Sequence, residues 1–211
     1  MSLPNKVKEC PNVYPPGEDT WFLLDTLINF CQNSNNHTKF SSMICELGVG
    51  TGYISIALGL KFPQFHFISI DISQAAVFIS SYNMEKFLPD HKYSLICTNF
   101  FDCLNPLTFN PYIIFFNPPY VITSKMEQQI INPEIYRTWS GGPDGIQIII
   151  KFLEELRRIQ FKYSFFITSS RNKNEKLIDL FFEDFVLQII AERQIPDEKL
   201  LCYQVTKKIF N

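Results

Sequence analysis

The chain has 211 residues, 46% of them hydrophobic, and a formal net charge of -2 at pH 7. That length suits one α/β domain with a substantial core, and the composition excludes a disordered chain. No apolar run approaches the ~18 residues of a membrane-spanning helix, and the charge offers no basic stripe of the kind duplex nucleic acid demands.

Residues 1–12 are polar without periodicity and read as an irregular tail. Val13-Tyr14-Pro15-Pro16-Gly17-Glu18-Asp19-Thr20 then makes a rigid turn into an amphipathic helix running to about Phe30. Glu18 and Asp19 fall in its first turn, where acids complement the helix dipole and cap free N–H groups. Asn33 to Lys39 is a polar loop.

Met43 to Gly52 reads as a strand running into a glycine turn, and Tyr53 to Leu60 as the helix after it. The glycines, Gly48, Gly50 and Gly52, let backbone approach a ligand with no Cβ in the way. Their spacing is G-x-G-x-G, neither the G-x-G-x-x-G of dinucleotide folds nor a P-loop. Glu46 stands just before them. An acid there suits a cationic or amino-bearing ligand better than a pyrophosphate, and S-adenosylmethionine, with its sulfonium and α-amino groups, fits.

Phe65 to Asp71 is the second strand. Asp71 lies about twenty residues past the glycine loop, where a carboxylate takes both hydroxyls of a ribose. Ser73 caps a helix to about Lys86. Tyr93 to Asn99 forms a third strand that ends in Asn99-Phe100-Phe101-Asp102, an amide and an aromatic suited to an adenine ring.

The fourth strand begins at Tyr112-Ile113-Ile114 and stops at Phe116-Asn117-Pro118-Pro119-Tyr120, because prolines cannot donate to a ladder. In an open α/β sheet this C-terminal edge is where ligands bind. The Asn117 side-chain oxygen and the Pro118 carbonyl are two adjacent acceptors, matched to a planar NH2 group. Tyr120 is placed to stack on the π-system carrying it. The stretch is built to grip an amide or an aromatic amine and present its nitrogen to an electrophile.

Val121 to Pro143 is long for a loop, which points to a substrate-covering role. A helix from Ile146 to Ile159, a strand from Tyr163 to Thr168 and a helix from Asn174 to Phe182 follow. Phe185 to Ala191 and Leu200 to Ile209 close the chain as paired strands. The alternation predicts a doubly wound, mostly parallel seven-stranded sheet with one antiparallel strand. With strand order 3-2-1-4-5, Ser94 to Thr98 lies on an edge that no lysine or proline blunts, beside Phe78, Tyr82 and Phe87.

Six cysteines are scattered with no C-x-x-C pair, and there are three histidines. A zinc site, a disulfide frame and a nucleophile–His–acid constellation are therefore not expected, and no bound metal is. Met1 to Cys10 has no apolar core of a secretory leader.

Glu46-Leu47-Gly48-Val49-Gly50-Thr51-Gly52, Asp71 and Asn117-Pro118-Pro119-Tyr120 together resemble class I, Rossmann-like S-adenosylmethionine-dependent methyltransferases of the HemK type. These methylate the glutamine side-chain amide in the Gly-Gly-Gln loop of peptide-chain release factors. Val13–Thr20 and Thr138–Gly145 resemble the short eukaryotic and archaeal branch, and the resemblance spans residues 13–209 of a chain read as one methyltransferase domain. It implies cofactor contacts at Thr20, Glu46, Gly48, Gly50, Asp71, Asn99, Phe100 and Asn117. The catalytic and substrate-binding group it implies is Asn117, Pro118, Pro119 and Tyr120. The family's usual acid at the adenine is here Asn99, with Asp102 as the alternative. The resemblance further implies a release factor as substrate, and a small zinc-binding activator subunit that adds a strand beside Ser94–Thr98 in a heterodimer. It places the protein in the cytoplasm, and in the nucleus as a second location. The competing readings are an adenine amino-methyltransferase acting on DNA or RNA, which leaves no room here for a target-recognition region, and a protein lysine methyltransferase.

Overall fold

The computed structural model describes residues 7–33, 43–124, 126–127 and 136–208. The polar loop after Asn33 and Ile209, the last residue of the expected final strand, lie outside them.

Three strands are buried along almost their whole length: β1 (Met43–Leu47), apolar but for Glu46, β4 (Ile113–Phe116), wholly apolar, and β7 (Tyr163–Ser169), which buries Ser164, Thr168 and Ser169 with its apolar residues. That is the signature of strands covered on both faces. With β2 (His66–Asp71), β3 (Tyr93–Cys97), β8 (Phe185–Ile195) and β9 (Glu198–Lys207) they form a seven-stranded sheet in the order β3-β2-β1-β4-β7-β9-β8. The first five positions are parallel, and β9 runs antiparallel to both its neighbours. The direction of winding reverses between β1 and β4. In such a sheet the crevice outside the strand C-termini opens there.

The helices are α1 (Glu18–Asn33), α2 (Tyr53–Lys61), α3 (Gln74–Phe87), α4 (Gln147–Arg158) and α5 (Glu175–Phe181). In α4, Ile149, Phe152, Leu153 and Leu156 are buried, the i, i+3, i+4, i+7 stripe of a helix lying on a sheet. Phe30 of α1 meets Phe165 edge-on at 4.8 Å, while Phe152 of α4 meets Phe166 at 6.4 Å and Phe116 at 5.3 Å. Adjacent residues of a strand point to opposite faces, so α1 and α4 cover the sheet from opposite sides.

The stretch from Val121 to Pro143 is not the continuous loop its length predicts. Val121–Ile122 (β5) pairs in parallel with Ser140–Gly142 (β6), and Val121 N donates to Trp139 O at 3.0 Å. The two ends come together because Gly141 admits the Tyr120 backbone: a Cβ there would lie 2.8 Å from the Tyr120 carbonyl carbon. Residues 125 and 128–135 of this stretch lie outside the described residues. The closing hairpin is longer than its apolar pattern predicts, since pairing continues through Glu192, Arg193 and Gln194 on the exposed edge.

The tail has neither helix nor strand from residue 7 to residue 13, yet it is docked: Asn83 of α3 exchanges two hydrogen bonds with the backbone of Lys8, both at 2.9 Å. At the far edge, β3 pairs only with β2 among the described residues. Phe78 is 74% exposed beside it and Tyr82 is exposed too, whereas Phe87 is half-buried against the cluster of Val49, Ile56, Met84 and Leu88.

Candidate active site

A cleft of about 540 Å³ opens at the C-terminal ends of β1, β2 and β4. That volume is within the range of small-molecule sites. The glycine loop joining β1 to α2 runs along it. Gly48 has φ +69°, and a Cβ on it would lie 2.8 Å from Phe116 Cε2, so any side chain at this position would be both strained and crowded.

Among the described residues, three carboxylates line the cleft, Asp19, Glu46 and Asp71, against a single guanidinium, Arg137. Asp71 closes β2 and is already engaged: Oδ2 accepts from Gly50 N at 3.0 Å and Oδ1 from Ser73 N at 2.9 Å. A carboxylate offers about four lone-pair sites, so room remains for two hydroxyl donors. Burial pushes its pKa up, and the bonds from Ser73 and Gly50 oppose that. Glu46 lies deeper, 3% exposed, and accepts from Ser55 Oγ of α2. Ser55 Oγ is 3.2 Å from Ser69 Oγ, which completes a buried polar cluster under the glycine loop. Burial pushes Glu46 up to about 8. A carboxyl held in this way favours either a proton or a cationic group beside it.

Asn117 ends β4 and lines the cleft, and its Oδ1 is buried with no hydrogen-bond partner among the described residues. Buried acceptors are nearly always paired, so an orphan at a cleft wall marks a place for a ligand donor. Pro118, Pro119 and Tyr120 line the same cleft. The Tyr120 carbonyl accepts from Asn172 Nδ2 at 2.8 Å, and Asn172 Oδ1 in turn accepts from Thr168 Oγ1 at 2.7 Å and Ser169 N at 2.8 Å. Gly145 is obligatory beside it: a Cβ would fall 1.8 Å from Asn172 Nδ2. This network fixes where the Asn-Pro-Pro-Tyr turn ends.

Of the remaining predicted residues, Thr20, Gly50, Asn99 and Phe100 all border the cleft. Asn99 Nδ2 donates to Asp102 Oδ2 at 3.2 Å, which leaves its side-chain oxygen as the group to accept. Asp102 is outside the cleft wall and pairs with Arg158 at 3.7 Å. Phe100 holds φ +44° and packs edge-on to Phe116 at 6.5 Å.

Sequence reasoning passed over Asp19, which reads as a first-turn acid. The structure buries it to 6% exposure. Its Oδ1 accepts from Thr20 N at 2.7 Å and its Oδ2 from Tyr120 OH at 3.5 Å. Burial and the Asp19 charge push the Tyr14 hydroxyl up to about 12 and raise Tyr120 as well, so both stay donors. The available signal was two tyrosines flanking prolines in separate motifs, Tyr14-Pro15-Pro16 and Pro118-Pro119-Tyr120. Asn172 was missed too, because its partner lies 52 residues away.

An acidic wall under a bare-backbone loop fits a nucleoside that carries a cationic centre, and a sheet of this order with its antiparallel strand inserted next to last is that of the class I S-adenosylmethionine-dependent methyltransferases. Comparison with known proteins narrows the class. The methyltransferase small domain family matches residues 21–138. A putative protein N5-glutamine methyltransferase, MJ0928 of Methanocaldococcus jannaschii, is 30% identical over 201 residues, covering 93% of this chain and 92% of that protein. The eRF1 methyltransferase catalytic subunit mtq2 of Schizosaccharomyces pombe is 28% identical over 208 residues, 92% and 89% of the two chains. A chain in the E. cuniculi Mtq2-Trm112 complex, responsible for methylation of the eRF1 translation termination factor, has the same fold, with a TM-score of 0.66 at 20% identity over 93% of this chain and 99% of that one. The chain belongs to the methyltransferase small domain family and, within it, to the protein-glutamine N5-methyltransferases.

Proposed function

We propose that this enzyme methylates the side-chain amide nitrogen of the glutamine in the Gly-Gly-Gln motif of a translation release factor. The observation that carries the reading is the unpaired Asn117 Oδ1 at the switch-point cleft, one residue before the Pro118 carbonyl. A primary amide offers two N–H donors to these two acceptors, and a dialkylated nitrogen does not. S-adenosylmethionine, when bound, supplies an electrophilic methyl group. Thr20, Glu46, Gly48, Gly50, Asp71 and Asn99 are the residues we assign to holding it. Asp71 takes the ribose, Glu46 the cationic methionine end, and the Asn99 oxygen with Phe100 the adenine.

An amide nitrogen is a poor nucleophile because its lone pair is delocalised. The chain's contribution is to hold that nitrogen in line, and to place acceptors where positive charge develops on it. Asn117 Oδ1 and the Pro118 carbonyl would hold the amide nitrogen toward the methyl group that S-adenosylmethionine would supply, and the N–H proton of that nitrogen would leave to solvent. Asp19 anchors Tyr120 and Tyr14 at the wall through their hydroxyls. Among the described residues a phosphate backbone would meet three acids against one arginine at this cleft, which disfavours nucleic acid as substrate in this reading.

The same reading includes a heterodimer. Edge strand β3, with Ile72, Phe78 and Tyr82 exposed beside it, offers the pairing and apolar surface that a small activator subunit, zinc-binding in this branch, covers by adding a strand. The setting is the cytoplasm, where translation ends, and the nucleus in addition; cell fractionation checks it. The deciding experiment incubates the purified chain, alone and with the activator, with methyl-labelled cofactor. The acceptors are release factor, release factor with that glutamine changed to alanine, an adenine oligonucleotide and a lysine peptide. Label only in the intact release factor supports the reading, and label in the oligonucleotide overturns it. Ile96→Lys on β3 is expected to abolish co-elution with the activator.

A further inference from the structure

Asn83 lies on the inward side of α3, 1% exposed. Its Nδ2 donates to Thr51 O and to Lys8 O, each at 2.9 Å, and its Oδ1 accepts from Lys8 N at 2.9 Å. The exchange with Lys8 copies a rung of strand pairing, with a side-chain amide in place of one strand. The third bond reaches the glycine loop. One buried amide thus ties together two segments that form the cleft wall: the tail leading to Asn12, Val13 and Tyr14, and the loop Gly48–Thr51.

The packing around it agrees. Val13 is buried with Ala76 and Ile79 of α3, and Val7 packs against the cluster containing Val49 and Met84. A Cβ at Gly50 would lie 3.9 Å from both Tyr14 O and Val13 Cγ1, so the tail crosses the glycine loop at van der Waals distance. Nothing in the methyl-transfer step uses Asn83, and a buried primary amide surrounded by apolar residues is costly unless fully bonded. Here every bond it makes goes to backbone of the cleft wall or of the segment leading into it.

We propose that Asn83 is a positioning residue for S-adenosylmethionine: it clasps the tail to the glycine loop, and the cofactor enters and leaves when that clasp opens. The inference rests on the cleft being the cofactor site. It makes a distinction that mere stabilisation would not. The bonds to the tail use the backbone of Lys8, while its ammonium lies over the exposed Tyr82 ring at 4.5 Å, a solvent-screened contact of modest strength, so the clasp depends on the Lys8 N–H far more than on its side chain.

The test uses the full chain, purified with its activator where that is needed for solubility. Calorimetry and stopped-flow measure S-adenosylmethionine affinity and dissociation in wild type, Asn83→Asp, Lys8→Pro and Lys8→Ala. Asn83→Asp keeps the acceptor and loses both donors, and Lys8→Pro removes the N–H and fixes φ at that position, with Lys8→Ala as the control for the lost side chain. Both are expected to release cofactor about tenfold faster, with faster hydrogen exchange across residues 10–14. Lys8→Ala is expected to stay within twofold of wild type, and the transfer rate at saturating cofactor to hold in all. If Asn83→Asp does not fold, Lys8→Pro decides alone. Lowered melting temperatures with unchanged affinity and dissociation would overturn the clasp. A wild-type chain that binds no S-adenosylmethionine would instead overturn the reading of the cleft itself.

Discussion

Replacing Glu46 by glutamine is expected to make the empty protein more stable while it weakens the cofactor site. Glutamine conserves the volume and still accepts from Ser55 Oγ. What it removes is a group whose carboxyl, ordinarily near 4.5, is pushed up to about 8 by burial. For an acid raised in the folded state, the native protein holds a proton that the unfolded chain has released. Stability therefore falls as pH rises from about 4.5 to about 8, then levels off. At pH 7 the unfolded chain has the advantage of about 2.5 pH units of ionisation, or about 3 kcal/mol, which Glu46→Gln recovers less the cost of any unpaired amide N–H it introduces. In a chain of this size that is roughly 10 °C in melting temperature. The assay is thermal unfolding of both proteins without cofactor from pH 5 to pH 9. The curves should nearly coincide at pH 5 and separate steadily to pH 8. If S-adenosylmethionine displaces the Glu46 proton on binding, calorimetry in buffers of different ionisation enthalpy should detect that proton's release at pH 7. If Glu46→Gln melts at or below wild type at pH 8, the carboxyl is not the strained group its burial makes it.

Asn117→Ala is expected to lower the transfer rate at least about 100-fold, on the scale of a misplaced reacting group, with cofactor affinity changed less than a few fold; near-normal turnover would remove Asn117 from the acceptor site. Asp71→Asn keeps the side-chain volume and loses the charge; it should cost about 2 kcal/mol, about 30-fold in S-adenosylmethionine affinity, read by calorimetry. Asn172→Asp retains the acceptor for Thr168 and Ser169 but turns a carboxylate onto the Tyr120 carbonyl. We expect a loss of about 1–3 kcal/mol in stability and a lower kcat with unchanged cofactor affinity, and an effect on affinity alone would contradict the network's placement beside the acceptor.

What the sequence made legible was whatever chemistry demands of residue type at fixed spacing. A turn with φ +69° pressed against Phe116 requires a glycine, so the glycine loop shows itself. A strand stopped by two prolines shows its own end. Buried parallel strands announce themselves as unbroken apolar runs such as Ile113-Ile114-Phe115-Phe116. What stayed hidden was set by partners distant in the chain. Asp19 looks like any first-turn acid until Tyr120, 101 residues on, is brought to it. Asn83 looks like a polar interruption of α3, and its partner Lys8 is 75 residues away. The hairpin ran past its apolar residues because edge pairing needs only backbone, which no side-chain pattern reports.

The position of β9 between β7 and β8 has a consequence for how the molecule is made. β7 is complete at Ser169, but the strand that pairs with its outer edge ends at Lys207, 38 residues later. At ribosomal speeds of about 5–20 residues per second, that edge stays open for about 2–8 s. The wait reaches back to the first helix. α1 carries Asp19 and Thr20 and packs against β7, β8 and β9, and Asp25 of α1 pairs with Arg193 of β8 at 2.6 Å. An early-made wall of the cleft is thus seated partly on α2 and partly on strands made more than 140 residues later. A nascent chain can complete its glycine loop and its Asn-Pro-Pro-Tyr turn before β8 and β9 exist, so the wall carrying Asp19 and Thr20 is fully seated only once that hairpin has docked.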